Sequence, residues 1–264
     1  MSKSLSSLRL ELTKINYWVY YGSMFFLIAC SCYQFFSEGA TQNFYAWIIY
    51  NFQNLYTCAG VIPIFYLVTI SLNLTFTLND PMYLSRIKSR RDLFLSDCQV
   101  ILKTTSTYLG SILIICSAMG LLSADFRTVW DRDIILFFKT SLQIVPNQTI
   151  SLPLQTLIAI FFMFLYLLTM GTCYNLLLVQ TQKKTLSFSF IFLFICIQSY
   201  FFRQPANSTL LNVMPIKHYL VYLGNFISIK QSILYWSIFL LISNGMLLFV
   251  YDRISLGGQT SKSN

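Results

Sequence analysis

Between Tyr17 and Tyr251 the chain is a succession of apolar runs, most of them long enough for a helix to cross a bilayer, and one sustained polar stretch interrupts them. Only 10% of the 264 residues are charged and 56% are hydrophobic. A soluble domain carries about 25% charged residues, so this surface could not stay hydrated in water. The expected fold class is an all-α integral membrane protein. The useful question is then how many spans of ~20 apolar residues fit.

Six do. Residues 1–16 space Leu5, Leu8, Leu12 and Ile15 three and four apart, with Lys3, Arg9, Glu11 and Lys14 between them. This predicts an amphipathic N-terminal helix on the membrane surface; a frayed cytosolic tail is the plainer alternative. Tyr17, Trp18, Tyr20 and Tyr21 follow as an interfacial aromatic belt. The first span is placed at Tyr17–Phe36 and the second within Phe44–Leu78, with a kink expected at Gly60 and Pro63. Asn51, Gln53 and Asn54 imply that one face of the second span meets protein. The third span is placed at Cys98–Leu122, with Lys103 shallow enough to reach the interface. In the segment 123–151 six charged residues bracket the short apolar run Ile134–Phe138, which predicts a short surface helix rather than a crossing. Ser151 and Pro153 read as the cap and first turn of a fourth span ending near Val179. A tight turn at 180–185 leads into the fifth span, Leu186–Phe202. The segment 203–231 holds apolar pieces too short to cross, predicted as brief re-entrant or surface helices, and the sixth span is placed at Ile233–Tyr251. The domain organisation is therefore 1–16, a transmembrane domain over 17–251, and a polar tail over 252–264.

An even number of spans puts both termini on one side. Eleven of the 18 Lys and Arg residues then fall on that side, six fall opposite, and Lys103 lies within a span. The bias predicts cytoplasmic termini in a multi-pass cell-membrane protein. The net charge of +9 reads as this orientation signal and not as an affinity for nucleic acid.

The polar interruption is Asn79–Asp97. Asp80 with Pro81 reads as a helix start, and Ser89 with Asp92 has capping-box spacing. Between them lies a helix of about two turns, Pro81–Lys88, carrying Met82, Tyr83, Leu84 and Ile87 beside Arg86 and Lys88. So short a helix is unstable alone and needs a partner surface. One reading is a cationic loop, extended by Arg90 and Arg91, that only fixes topology. The other is a coupling helix that docks on an ATP-hydrolysing subunit.

Residue types restrict the chemistry. His218 is the single histidine, so a helical His pair for a metal is impossible. The seven cysteines lie in or beside apolar segments and are expected to pack rather than ligate. No Asp or Glu is expected well inside a span, which leaves proton-coupled transport without a carboxylate. No nucleophile elbow and no phosphate-binding loop occurs. An enzyme is not expected, and His218 is read as an interfacial residue. Three N-x-S/T tripeptides occur, at Asn73, Asn147 and Asn207.

The layout resembles the permease subunits of ABC-2-type ATP-binding-cassette transporters, in particular the short six-span permeases of Gram-positive bacteria that act in peptide or bacteriocin export and self-immunity. The resemblance rests on the entry helix, two spans, the basic segment YLSRIKSRRDLFL, the non-crossing segment before the last span, and the ending Tyr251-Asp252-Arg253. The length and charge of the segment 123–151 depart from a minimal member. What the resemblance implies is a permease driven by two separate ATPase subunits, which carry the ATP and Mg, paired with a second permease copy or a related one. The coupling contact would then fall on Asp80, Pro81, Met82, Tyr83, Leu84, Arg86, Ile87, Lys88, Arg90 and Arg91. An amphipathic or hydrophobic peptide would suit the nearly uncharged interior; a lipid-linked cargo, or a sensor or immunity protein that binds a peptide without moving it, are the alternatives.

Overall fold

A computed structural model describes residues 21–33, 35, 37, 43–79, 89–121, 125–141, 148–202, 215–219 and 229–253. The expected N-terminal helix, the coupling helix Pro81–Lys88, the polar tail and most of the segment 203–231 lie outside these residues. Among the described residues the chain is helical, with one isolated backbone bridge, Asn43 to Asp125. The helices are α1 (Tyr21–Tyr33), α2 (Phe44–Gln53), α3 (Ile62–Asn79), α4 (Arg90–Leu121), α5 (Arg132–Ser141), α6 (Leu152–Thr181), α7 (Lys184–Phe202), α8 (Pro215–Tyr219) and α9 (Ile229–Arg253).

Four segments are long and apolar enough to cross a membrane: Tyr56–Leu74, Arg91–Leu121, Leu152–Thr181 and Ile229–Asp252. Tyr21–Tyr33 and Lys184–Tyr200 are apolar but shorter. At 1.5 Å per residue, 30 residues of α6 reach about 45 Å, more than a hydrocarbon core needs. The outward faces of α7 and α9 expose Phe192, Leu193, Leu234, Ile238, Leu241 and Phe249. Apolar surface on this scale is what lipid or another membrane chain covers.

The centre of the bundle is α6, which contacts α2, α3, α4, α7, α8 and α9. Gly171 lets α3 and α4 approach it closely, since a side chain there would collide with the Tyr66 hydroxyl and with Ile101 Cγ2. Tyr66 in turn hydrogen-bonds Thr105 at 2.8 Å, and Tyr108 donates to the Ile62 carbonyl at 2.7 Å. Polar side chains thus bond across helices where water is excluded.

The second span differs from the expected kinked helix. α2 ends at Gln53 and the chain extends at Asn54 (φ −65°, ψ 131°) before a π-helical stretch, Leu55–Val61, leads into α3. The break therefore precedes Gly60 and Pro63. Asn54 causes it locally, because its side chain accepts from Tyr56 N at 3.1 Å and its own N–H donates to the Tyr50 carbonyl at 2.7 Å. Thr57 closes the gap by donating to the Asn51 carbonyl. Asn51 and Asn54 are buried, as a protein-facing surface requires. Irregular backbone at membrane depth is tolerated only in such a setting.

Local signals elsewhere are legible. Ser89 accepts from Asp92 N at 3.1 Å, so the capping spacing starts a helix. That helix, α4, begins at Arg90 and not near Cys98, which moves the last part of the polar interruption into a 32-residue helix. The run Ile134–Phe138 forms the ten-residue α5 and buries Ile134, Phe137 and Phe138. Ser151 occupies the cap position of α6 without a side-chain bond, and the turn after α6 places Gln182 in the left-handed region (φ 53°).

Candidate functional site

The buried stripe of α4 runs Leu93, Asp97, Ile101, Thr105, Tyr108, Ile112 and Cys116, at the spacing of one helix face. Asp97 sits on that stripe among apolar residues and is fully buried. The sequence places Asp97 at the polar edge of the third span; the helix begins at Arg90 and carries Asp97 inward, two turns from its start.

Three helix ends meet there. Asp97 Oδ2 accepts from the Tyr251 hydroxyl of α9 and, at 3.4 Å, from Asn175 Nδ2 of α6. Asn175 Nδ2 also lies 3.4 Å from the Tyr251 hydroxyl. The next residue, Cys98, has its Sγ 3.8 Å from Asn244 Oδ1 of α9. Leu93, Val179, Leu247 and Tyr251 form a separate buried apolar cluster beside this group, with Phe94, Leu176 and Val250 packed against it. Among the described residues the only ion pairs are those of Arg127, with Asp125 and Asp131, and they lie outside the spans. There Asp131 and then Asp125 hold the guanidinium above its usual pKa. Asp97 has neutral partners only.

A second feature lies deeper between α6, α7 and α9. It is a cavity of about 310 Å³ lined by Tyr166, Met170, Cys173, Phe190, Trp236 and Phe239, among others. The Tyr166 ring stacks on Tyr219 at 5.5 Å and meets Trp236 edge-on, and its hydroxyl has no partner among the described residues. The wall is otherwise apolar. Such a cavity suits an aromatic or aliphatic group.

Of the expected docking residues, Asp80, Pro81, Met82, Tyr83, Leu84, Arg86, Ile87 and Lys88 lie outside the described residues. Arg90 and Arg91 form the first turn of α4, and Arg91 is exposed. Asp97 stands seven residues after Arg90 on the same helix, so the cationic segment runs directly into the helix that carries the buried group. His218 packs against protein. It is buried, stacks on Tyr235 at 3.7 Å with the rings 3° from parallel, and sits 3.4 Å from the Ser232 hydroxyl. Asn73 donates to Thr104 across the helix pair at 2.9 Å, which gives that tripeptide a packing role. The cysteines are unpaired; Cys32, Cys58 and Cys116 are core residues, while Cys30 and Cys196 are exposed. Among the described residues no group of three His, Cys, Asp or Glu could hold a metal.

The chain matches no protein-family model, no curated protein and no solved structure. Its function therefore has to be read from its own geometry.

Proposed function

We propose that the chain is the membrane-spanning permease subunit of an ATP-binding-cassette exporter, with six crossings, both termini in the cytoplasm and the Arg90 end facing the cytoplasm. Two ATPase subunits would dock on the segment 79–97 and supply ATP hydrolysis; this chain does no covalent chemistry. A second permease copy or a related one would complete the transporter across the exposed apolar faces. The cargo class is an amphipathic or hydrophobic peptide, whose apolar side chains fit the cavity beside Tyr166.

One observation carries this reading. The cationic segment is continuous with α4, and α4 is tied through Asp97 to the ends of α6 and α9. A push on the segment would move α4 as a rod, and the first contact to yield would be the three-helix junction. Reorientation of a bundle of this kind needs such a rigid link between the driven surface and the helices that open.

The test is purification of the full chain from native membranes with any ATPase subunit encoded beside it. The wild-type chain should co-purify with the ATPase and stimulate its turnover, and Arg86→Glu combined with Arg90→Glu should abolish both. An undiminished complex in the double variant would remove the docking assignment. Peptide binding with no associated ATPase would instead identify a non-transporting sensor or immunity protein, and stimulation by a lipid-linked compound alone would replace the peptide cargo.

A further inference from the structure

The hydrogen-bond inventory at Asp97 is one donor short. Oδ2 accepts from Tyr251 and Asn175, while the buried Oδ1 has no donor among the described residues. Oδ1 of Asn175, also fully buried, has none either. Two acceptor oxygens in one buried cluster thus have no donor among the described residues, and no cation among the described residues pairs with the carboxyl group. A lone buried carboxylate is among the most costly groups a protein interior can hold.

The titratable and charged groups around it do not supply the missing charge. On α4 those with described side chains are Cys98, the exposed Arg91 and Asp92, and the exposed Lys103; the side chains of Arg90, at the start of α4, and Arg253, at the end of α9, lie outside the described ones. On α9 they are Tyr251 and the exposed Asp252, and on α6 they are Cys173 and Tyr174. Lys183 and Lys184, at the turn after α6, are exposed. A metal ion fits poorly, because hard cations take about six or more oxygen ligands and Asp97, Asn175 and Tyr251 bring far fewer.

We propose that Asp97 is a proton-binding site, occupied while the ends of α4, α6 and α9 are closed on one another. A hydronium ion at the Arg90 end transfers its proton to Oδ1 and leaves as water. The step removes the charge and turns an orphan acceptor into a donor. Opening the junction lets water reach the carboxyl group; the O–H bond then breaks, the proton leaves to water, and the carboxylate is solvated. Proton occupancy therefore favours the closed junction, and acidification at that end stabilises it. Ionisable residues inside a membrane domain serve such proton-linked roles. The site follows from the bundle itself and does not depend on which partner drives it.

The experiment compares the full chain with Asp97→Asn, a neutral near-isostere that keeps a donor, in lipid nanodiscs. Infrared spectra at neutral pH should show a carboxylic acid C=O band that shifts in D2O and is lost entirely in Asp97→Asn. The closed, folded bundle binds one proton more than the unfolded chain, so stability falls as pH rises. The wild-type melting midpoint should accordingly drop as pH goes from about 5 to about 8, and in Asp97→Asn that drop should disappear. Tyr251→Phe keeps the carboxyl group and should keep the band at a shifted frequency. Absence of the band from the wild type, its persistence in Asp97→Asn, or stabilisation of the wild type by sodium but not potassium would overturn the proposal. Failure of Asp97→Asn to fold would overturn it too, because it would mean that the negative charge is required, as it is for an ion pair with a cation elsewhere in the chain.

Discussion

The two ends of α4 solve the same problem in opposite ways. At its Leu121 end, Gly120 brings α4 against Trp47 and Phe44, and the Trp47 indole donates to the Cys116 carbonyl at 2.9 Å. Neighbouring contacts there are main-chain ones: Phe44 N donates to the Asp125 carbonyl, and Asn43 Nδ2 donates to the Arg127 carbonyl, both at 2.9 Å. Outside, Arg127 pairs with Asp125 and Asp131, their side chains 60%, 58% and 35% exposed respectively. At the Arg90 end a carboxyl group stands inside the packing and joins three helices through neutral donors. The first end is held by shape, with its charges optional. The second is held by a polar group that cannot be removed without stranding its partners. A stable end and an end built to change need this difference, since a buried polar junction has distinct closed and hydrated states whereas a packed aromatic contact has one.

The comparison breaks most readily at Asp97. Replacing it with Leu leaves the Tyr251 hydroxyl without an acceptor, while Asn175 Nδ2 keeps the Tyr251 oxygen. The expected loss is about 1–3 kcal/mol in reversible unfolding of the full chain in mixed micelles, beyond that of Asp97→Asn. A cost near zero would mean that the apolar cluster of Leu93, Val179 and Leu247 holds this end by itself. At the other end, Gly120→Ala places a methyl group 2.8 Å from Trp47 Cδ1 and 2.9 Å from Phe44 Cδ2. Trp47 is fully buried and has nowhere to move. Overpacking of this kind costs about 1–3 kcal/mol, and Phe44→Leu in the same chain should recover part of it, read as a non-additive double-mutant cycle. Full additivity would show that the close approach is not what holds the end.

The same contrast explains what could be read from the residues in order. The Ser89 cap and the α5 helix were legible because their causes are local: a hydroxyl three residues from an acceptor-seeking N–H, and an apolar run bracketed by charges. Burial of Asp97 was legible in principle, since Leu93, Asp97 and Ile101 lie four residues apart on one face. It was missed because an acid beside four cations reads as the edge of a span, and only Asn175 and Tyr251, 78 and 154 residues away, supply a reason to bring it inside. The packing of His218 was missed likewise: its flat partner, Tyr235, stands 17 positions on, in another helix. The polar character of Asn51 and Asn54 announced a protein-facing surface, yet a π-helical stretch depends on which carbonyl each N–H finds, and periodicity does not specify that. Of the cationic residues proposed for docking, Arg91 is exposed, and Arg86 and Lys88 lie outside the described residues. Their role rests on charge and continuity with α4.

The smallest effect is the sharpest check on the Leu121 end. Arg127 contributes to the packing through its main-chain carbonyl, which accepts from Asn43, while its guanidinium reaches outward to Asp131 and Asp125. Arg127→Ala keeps the carbonyl and removes only the exposed pairing. Exposed pairs pay side-chain entropy and are screened by salt, so little stability is at stake. The guanidinium stays charged across the working pH range, held above its usual pKa by Asp131 and then Asp125, and so no pH-dependent step should be lost with it. The unfolding midpoint of Arg127→Ala should match the wild type at low and at high ionic strength, and the two should follow the same pH profile. A drop confined to low salt would show that the ion pairs do hold this end, and the distinction between an end held by shape and an end held by a buried polar group would then fail.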